Sequence, residues 1–250
     1  MTAYFDGLAR NYAQHRPNYP DDAIKFMLAG LPPQVRTADV GCGTGISSRL
    51  LARQGARVIG IDPNSDMLDQ ARADASTDPA ATIEYRRGTG ENTSLDDASV
   101  GLVVCAQSFH WFDAAAALRE FHRILTPHGR LALMWNVRDD RDALTADYSD
   151  VAHRAQADAA KRGVVVHEER YGDPIAGGLF TNRRLRAFPN AQNLDVEGLL
   201  GRARSASYFP RQGPLRDDFE RELHRLFDRY QENGRVTLLH QAEVTLADRV

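Results

Sequence analysis

The heptapeptide Asp39-Val40-Gly41-Cys42-Gly43-Thr44-Gly45 constrains this chain more than any other segment. It stands between a strand-like run, Thr37–Val40, and a helix-like run carrying Ile46, Leu50 and Leu51. Its glycines let the backbone turn sharply and let a ligand approach main-chain atoms. The spacing is GxGxG, and the third glycine of the dinucleotide fingerprint is missing where Ile46 stands. A second acid, Asp62, closes the next strand-like run, Arg57–Asp62. A carboxylate there accepts two hydrogen bonds from a ribose diol and repels a 2′-phosphate. Loop and acid together predict a nucleoside held by bare peptide at one end and by Asp62 at the sugar.

The alternation continues beyond that pair. A helix capped by Asn64 or Ser65 buries Met67, Leu68, Ala71 and Ala75; strands follow at Thr82–Arg87 and Val100–Ala106. Asp113 caps a helix with Ala117, Leu118, Phe121, Ile124 and Leu125 on its apolar face, ended by Thr126-Pro127-His128-Gly129. Arg130–Trp135 is a fifth strand. Near-continuous apolar strands alternating with helices predict an α/β fold, a doubly wound and mostly parallel sheet. Before it, residues 1–35 read as two short helices divided at His15-Arg16-Pro17-Asn18-Tyr19-Pro20, the first capped by Thr2. After the core, residues 36–137, the segment 138–182 reads as a small helical cap, with a helix over Asp142–Arg162 and an irregular stretch over Gly163–Asn182. Residues 183–250 then return to the sheet, with a strand at Leu185–Phe188, helices at Val196–Ala203 and from Pro214, and a period-two strand from Val236 to Leu246.

Thirty-one basic against 34 acidic side chains give a formal charge of −3, so no nucleic-acid footprint is expected; the group Arg183, Arg184, Arg186 reads as a solvated face or a substrate-anion contact rather than an RNA-binding patch. Cys42 and Cys105 sit at strand ends rather than in a disulfide pattern, which predicts buried thiols and a cytoplasmic setting. No window approaches the roughly 20 apolar residues of a membrane span, and no signal core opens the chain.

DVGCGTG followed by IGID resembles the first two motifs of class I S-adenosylmethionine-dependent methyltransferases. The similarity extends to the methyltransferase-domain type-eleven subgroup, which includes trans-aconitate methyltransferase-like enzymes. It is carried by Arg16-Pro17-x-Tyr19-Pro20, Met67-Leu68-x-x-Ala71, Gly88-x-x-Glu91, Ala106-Gln107-x-Phe109-His110-Trp111-Phe112 and Glu120-x-x-Arg123-x-Leu125-x-Pro127-x-Gly129, and covers residues 5 to 136. The Asn/Asp-Pro-Pro-Tyr element of adenine- and glutamine-directed relatives is replaced by Ala106-Gln107-Ser108-Phe109, which disfavours those acceptors.

The resemblance implies S-adenosylmethionine as cofactor and a Rossmann-like sheet. It places the methionine moiety over Asp39, Gly41, Cys42 and Gly43, with Arg16 on its carboxylate and Tyr12 beside it. Asp62 takes the ribose, Pro63 and Met67 border the adenine, and Thr89, Gly90 and Glu91 lie near it. Glycine at 90, where the family has alanine, predicts a looser loop. Ala106 and Gln107 face the methyl donor. Tyr19, His110, Trp111 and Tyr208 are expected near a small-molecule acceptor, with His110 the candidate base because imidazole titrates near neutrality. Its alternative role is a wedge between strand and helix. No metal is expected. A cofactor-binding protein or cyclase of the same fold, and more remotely an NAD-dependent oxidoreductase or RNA methyltransferase, are the competing readings.

Overall fold

A computed structural model of the chain describes residues 9–76, 83–164, 175 and 178–250. The expected Thr2 cap, the residues of the first helix before Ala9, and most of the irregular stretch after Gly163 lie outside the described residues. Helix α1 spans Ala9–His15 and α2 Asp21–Leu28. The core then runs β1 (Arg36–Val40), α3 (Ile46–Arg53), β2 (Arg57–Asp62), α4 (Ser65–Ser76), β3 (Ile83–Arg87), β4 (Val100–Ala106), α5 (Ala114–Ile124) and β5 (Leu125–Arg138). It continues with α6 (Ala143–Lys161), β6 (Phe180–Leu194), α7 (Val196–Arg204), α8 (Pro214–Tyr230) and β7 (Val236–Arg249).

The seven strands form one sheet in the order β3-β2-β1-β4-β5-β7-β6. Pairs from β3 to β5 are parallel; β7 is antiparallel to both β5 and β6. The expected α/β, mostly parallel architecture is therefore present, with an antiparallel edge. Alternation along each central strand feeds two cores. Val103 and Cys105 of β4, with Leu131, Leu133 and Trp135 of β5, pack against α5, whereas Leu102, Val104, Ala132 and Met134 pack against α2 and α3. A third apolar cluster joins α6, α7 and α8 to Val236 and Leu238 of β7.

Local sequence signals set several element ends. Asp113 accepts from Ala116 N at 2.9 Å and Asn64 Oδ1 from Met67 N at 3.1 Å, the two caps read from sequence. Arg130 Nη1 donates to the carbonyls of Met27 and Ala29 at 2.9 and 2.8 Å, satisfying the end of α2.

Two boundaries differ from expectation. Helix α5 stops at Ile124, so Thr126–Gly129 belongs to β5 rather than ending the helix, with Leu125 already paired to Val100. Strand β6 spans fifteen residues instead of Leu185–Phe188. It is an edge strand whose outer half carries Asn182, Arg183, Arg184 and Arg186, so its apolar period is hidden; charged edges of this kind deter pairing with other chains.

Candidate active site

The strand order reverses between β1 and β4, and in open α/β sheets the crevice beyond the carboxyl ends of such strands is where ligands bind. A cleft of about 580 Å³ opens there, lined by Tyr12, Gly41, Gly43, Asp62, Pro63, Asn64, Met67, Gln107, Ser108, Trp111 and Phe112. The ends of β1, β2 and β4 thus meet at one place, joined by Tyr12 from α1.

The glycine loop has two unlike halves. Gly41 (φ 71°) and Gly43 (φ 53°) both occupy the left-handed region. A Cβ at Gly41 would stand 2.4 Å from Ser108 Cβ, and Ser108 is anchored by donating to the Val40 carbonyl at 2.6 Å. A Cβ at Gly43 would meet nothing within 4 Å, so its bare peptide borders open space in the cleft.

Asp62 organises that peptide. Its Oδ2 accepts from Gly43 N and its Oδ1 from Asn64 N, each at 2.9 Å. Each oxygen retains a lone pair for a further donor such as a ribose hydroxyl. Burial raises the pKa of this carboxyl, opposed by the two backbone N–H groups.

Asp39 lies deeper, fully buried beneath the loop. Its Oδ2 accepts from Ser47 and Ser48 hydroxyls at 2.7 and 2.5 Å, while Oδ1 has no partner among the described residues. Desolvation lifts its pKa to about 6 against those hydrogen bonds. An orphaned carboxylate oxygen under a glycine loop suits a ligand ammonium group. Gln107 occupies a left-handed conformation (φ 56°) at the end of β4, its N donating to Met134 O at 2.8 Å. Its buried Oε1 also lacks a donor among the described residues. Bare peptide, a ribose-competent acid and two waiting acceptors fit a nucleoside that carries an amino-acid moiety.

Of the residues singled out from sequence, Tyr12, Gly41, Gly43, Asp62, Pro63, Met67, Gln107 and Trp111 line the cleft, whereas the others stand back from it. The Arg16 guanidinium lies 4.7 Å from the Tyr12 ring and donates to the Ser205 carbonyl at 3.2 Å. Cys42 and Cys105 are buried free thiols, and burial pushes both well up. Thr89 closes a local turn with Asn92, and Glu91 accepts from Asp113 N at 2.8 Å, at the start of α5. Gly90 is tightly packed, contrary to the looser loop expected: a Cβ there would strike the Phe112 ring at 2.5 Å, so the missing methyl makes room for an aromatic wall. Ala106 is half-buried, and Tyr19 is buried against α2 and α3. Tyr208 packs on the α6–α8 cluster. Three lining residues, Asn64, Ser108 and Phe112, were not expected. Phe112 and Ser108 carry the steric signal at Gly90 and Gly41, which a sequence without contacts does not show.

His110 is buried in the short 3₁₀ turn Phe109–Trp111, its ring 5.4 Å from that of Trp111. Trp135 Nε1 donates to its Nδ1 at 3.5 Å.

Comparison with known proteins matches these features. A family model described as a methyltransferase domain matches residues 38–133. The chain is 38% identical over 154 residues to an uncharacterised methyltransferase of Mycobacterium tuberculosis, covering 62% of this chain and 60% of that protein. It therefore aligns with less than two thirds of the mycobacterial relative's length. It is 31% identical to an uncharacterised methyltransferase-like protein of Schizosaccharomyces pombe, over 76% of this chain and 72% of that one. A type II methyltransferase candidate of Anaeromyxobacter dehalogenans shares the fold with a TM-score of 0.68 at 19% identity, over 94% of this chain and 97% of that one. With the relative from fission yeast aligned along most of both lengths, the chain belongs to the class I S-adenosylmethionine-dependent methyltransferase family.

Proposed function

We propose that this chain methylates a small-molecule acceptor at oxygen, nitrogen or a carboxylate. The observation that carries the reading is the pairing of Asp62 with the bare Gly43 peptide, which builds a ribose-and-backbone grip at the strand ends. When bound, S-adenosylmethionine supplies a methyl group already activated on a sulfonium sulfur, whose carbon–sulfur electron pair stays on sulfur as the acceptor's lone pair forms the new bond. The protein's work is then alignment and exclusion of water. Asp62 holds the ribose diol, Met67 and Pro63 flank the base, and Asp39 faces the ammonium group. Gln107 offers its free acceptor at the donor side. Trp111 and Phe112 give the cleft its apolar wall. In this reading residues 1–35 cover the cleft, 36–137 hold the cofactor, 138–182 cap the acceptor side and 183–250 complete the sheet. No described helix is long and apolar enough to cross a membrane.

The test is Asp62→Ala. Loss of a charged hydrogen-bond acceptor on the diol costs about 1–3 kcal/mol, roughly 5- to 150-fold in cofactor affinity. Calorimetry returning wild-type affinity from a folded variant would remove the carboxylate from the grip. Asp62→Asn retains an acceptor for one backbone N–H and serves as the folding control.

His110 enters the proposal as the wedge. His110→Ala is expected to bind cofactor normally and to keep turnover within about tenfold of wild type. A drop of roughly 10²–10⁴, the contribution of a general base, would restore it to the chemistry.

A further inference from the structure

Helix α7 carries a glycine, Gly201, inside its span, where alanine is the better helix former. The neighbouring helix supplies the reason. A Cβ at Gly201 would stand 2.5 Å from His15 Cδ2 and Nε2 and 2.6 Å from Cε1. Three ring atoms at nearly one distance mean that the His15 imidazole, at the end of α1, lies face-on over the Gly201 backbone. A methyl group there would have to push the ring back by about 1 Å to reach ordinary carbon contact. Burial lowers the pKa of this imidazole, with Arg204 acting the same way against Asp195 and Glu197, so the ring is seated uncharged at neutral pH.

Further bonds tie α1 to the same part of the molecule. Asn11 Nδ2 donates to the Gly201 carbonyl at 3.1 Å and Arg16 Nη2 to that of Ser205 at 3.2 Å. Gln192 Nε2 of β6 donates to the His15 carbonyl at 2.7 Å. Of the seven residues of α1 only Ala9 is buried, and a helix this short is not held by its own propensity, so its place depends on these contacts. Tyr12, three residues before His15 and on an adjoining part of the helix surface, lines the cleft beside Gly41 and Gly43. Whatever seats His15 therefore also sets Tyr12. Just beyond α1 the Asn18 carbonyl accepts from Asn136 Nδ2 at 3.1 Å and Asn190 Nδ2 at 2.7 Å, which pins the chain where the helix would pivot.

We propose that the seating of His15 on Gly201 is a latch that holds Tyr12 over the cleft and sets the rate at which the cofactor leaves. His15 and Gly201 are positioning residues, which act through Tyr12 and not by touching the ligand. The proposal rests on the methyltransferase reading for what occupies the cleft. Elements that cover a ligand come from the less stable parts of a fold, those with few buried apolar contacts, and α1 is built in that way. Because Leu199, Leu200 and Ala203 of α7 pack with α6 and α8, closure also ties the cofactor cleft to that layer.

Two measurements keep the latch and the methyltransferase reading apart. Calorimetry of S-adenosylhomocysteine on the wild-type protein tests the reading, and absence of binding defeats it. Trypsin cleavage after the exposed Arg10, followed by mass spectrometry without ligand, tests the latch, because cleavage tracks the population in which α1 is released. Gly201→Ala is expected to be cut there about fivefold faster than wild type. It should also release S-adenosylhomocysteine about tenfold faster in stopped flow, read by tryptophan fluorescence, since Trp111 lines the cleft. His15→Ala should match it in both rates. In the His15→Ala background, adding Gly201→Ala should change neither rate, since the ring that the methyl would displace is gone. That dependence is what a general loss of stability would not produce. Where Gly201→Ala does not fold, His15→Ala alone carries both comparisons. Wild-type rates in the single variants, an effect of Gly201→Ala that persists without the imidazole, or faster release with unchanged cleavage after Arg10 each overturns the latch.

Discussion

Gly43→Ala is expected to fold and yet lose about 100-fold in cofactor affinity, whereas Gly41→Ala is expected to lose the fold's stability first. Both glycines are left-handed, a conformation that costs an L-residue roughly 1–2 kcal/mol. At Gly43 nothing stands within 4 Å of an added methyl, so that cost is the whole stability penalty. The methyl would occupy cleft space where a ligand meets the peptide, and a 100-fold loss corresponds to about 2.8 kcal/mol. At Gly41 the methyl would meet Ser108 Cβ at 2.4 Å and the Phe112 ring at 3.1 Å. Ser108 is tied to the Val40 carbonyl, so overpacking adds about 1–3 kcal/mol to the backbone strain. Urea denaturation and calorimetry on both variants separate the two effects. Equal stability losses, or undiminished binding by Gly43→Ala, would show that the loop has no such division.

Asp39→Asn should stabilise the ligand-free protein by about 1–3 kcal/mol at pH 8 and weaken cofactor binding. The buried carboxyl titrates at about 6 in the folded chain against an ordinary 3.8, which corresponds to about 3 kcal/mol. Because the folded pKa is the higher one, the native state binds the extra proton. Its contribution to stability is fully present below pH 4 and is lost as pH rises through about 6. The amide cannot ionise, so its advantage over aspartate should be absent at pH 4 and complete by pH 7 to 8. Melting curves of both proteins across that interval test the sign. A variant less stable than wild type at pH 8 would mean that the charge is structurally needed. Loss of affinity follows from removing the orphaned Oδ1 charge from its place beneath the loop.

The parallel half of the sheet was legible because its signals are local. Glycines at 41, 43 and 45, caps at Asn64 and Asp113, and unbroken apolar strands each specify their own neighbourhood. The grip of Asp62 could be read because it needs only a strand end and a loop. Strand β6 was under-read because an edge strand buries little, and its arginines mask the period of two. The seat of His15 was invisible for a different reason. On α7 Gly201 follows Leu199 and Leu200 and reads as a weak point in a helix, and only the approach of α1 shows that it leaves room for the His15 ring.

Strand β7 lies between β5 and β6, although it follows both in the chain. During synthesis the outer edge of β5 therefore waits, with its peptide groups unsatisfied, from Arg138 until residues from Val236 onward emerge. Every contact that closes this side of the sheet is made late and over a long span, which slows folding and leaves an adhesive margin open to other nascent chains. Helices α6 to α8 are made in that interval, so the layer that packs on Val236 and Leu238 exists before the strand it will receive.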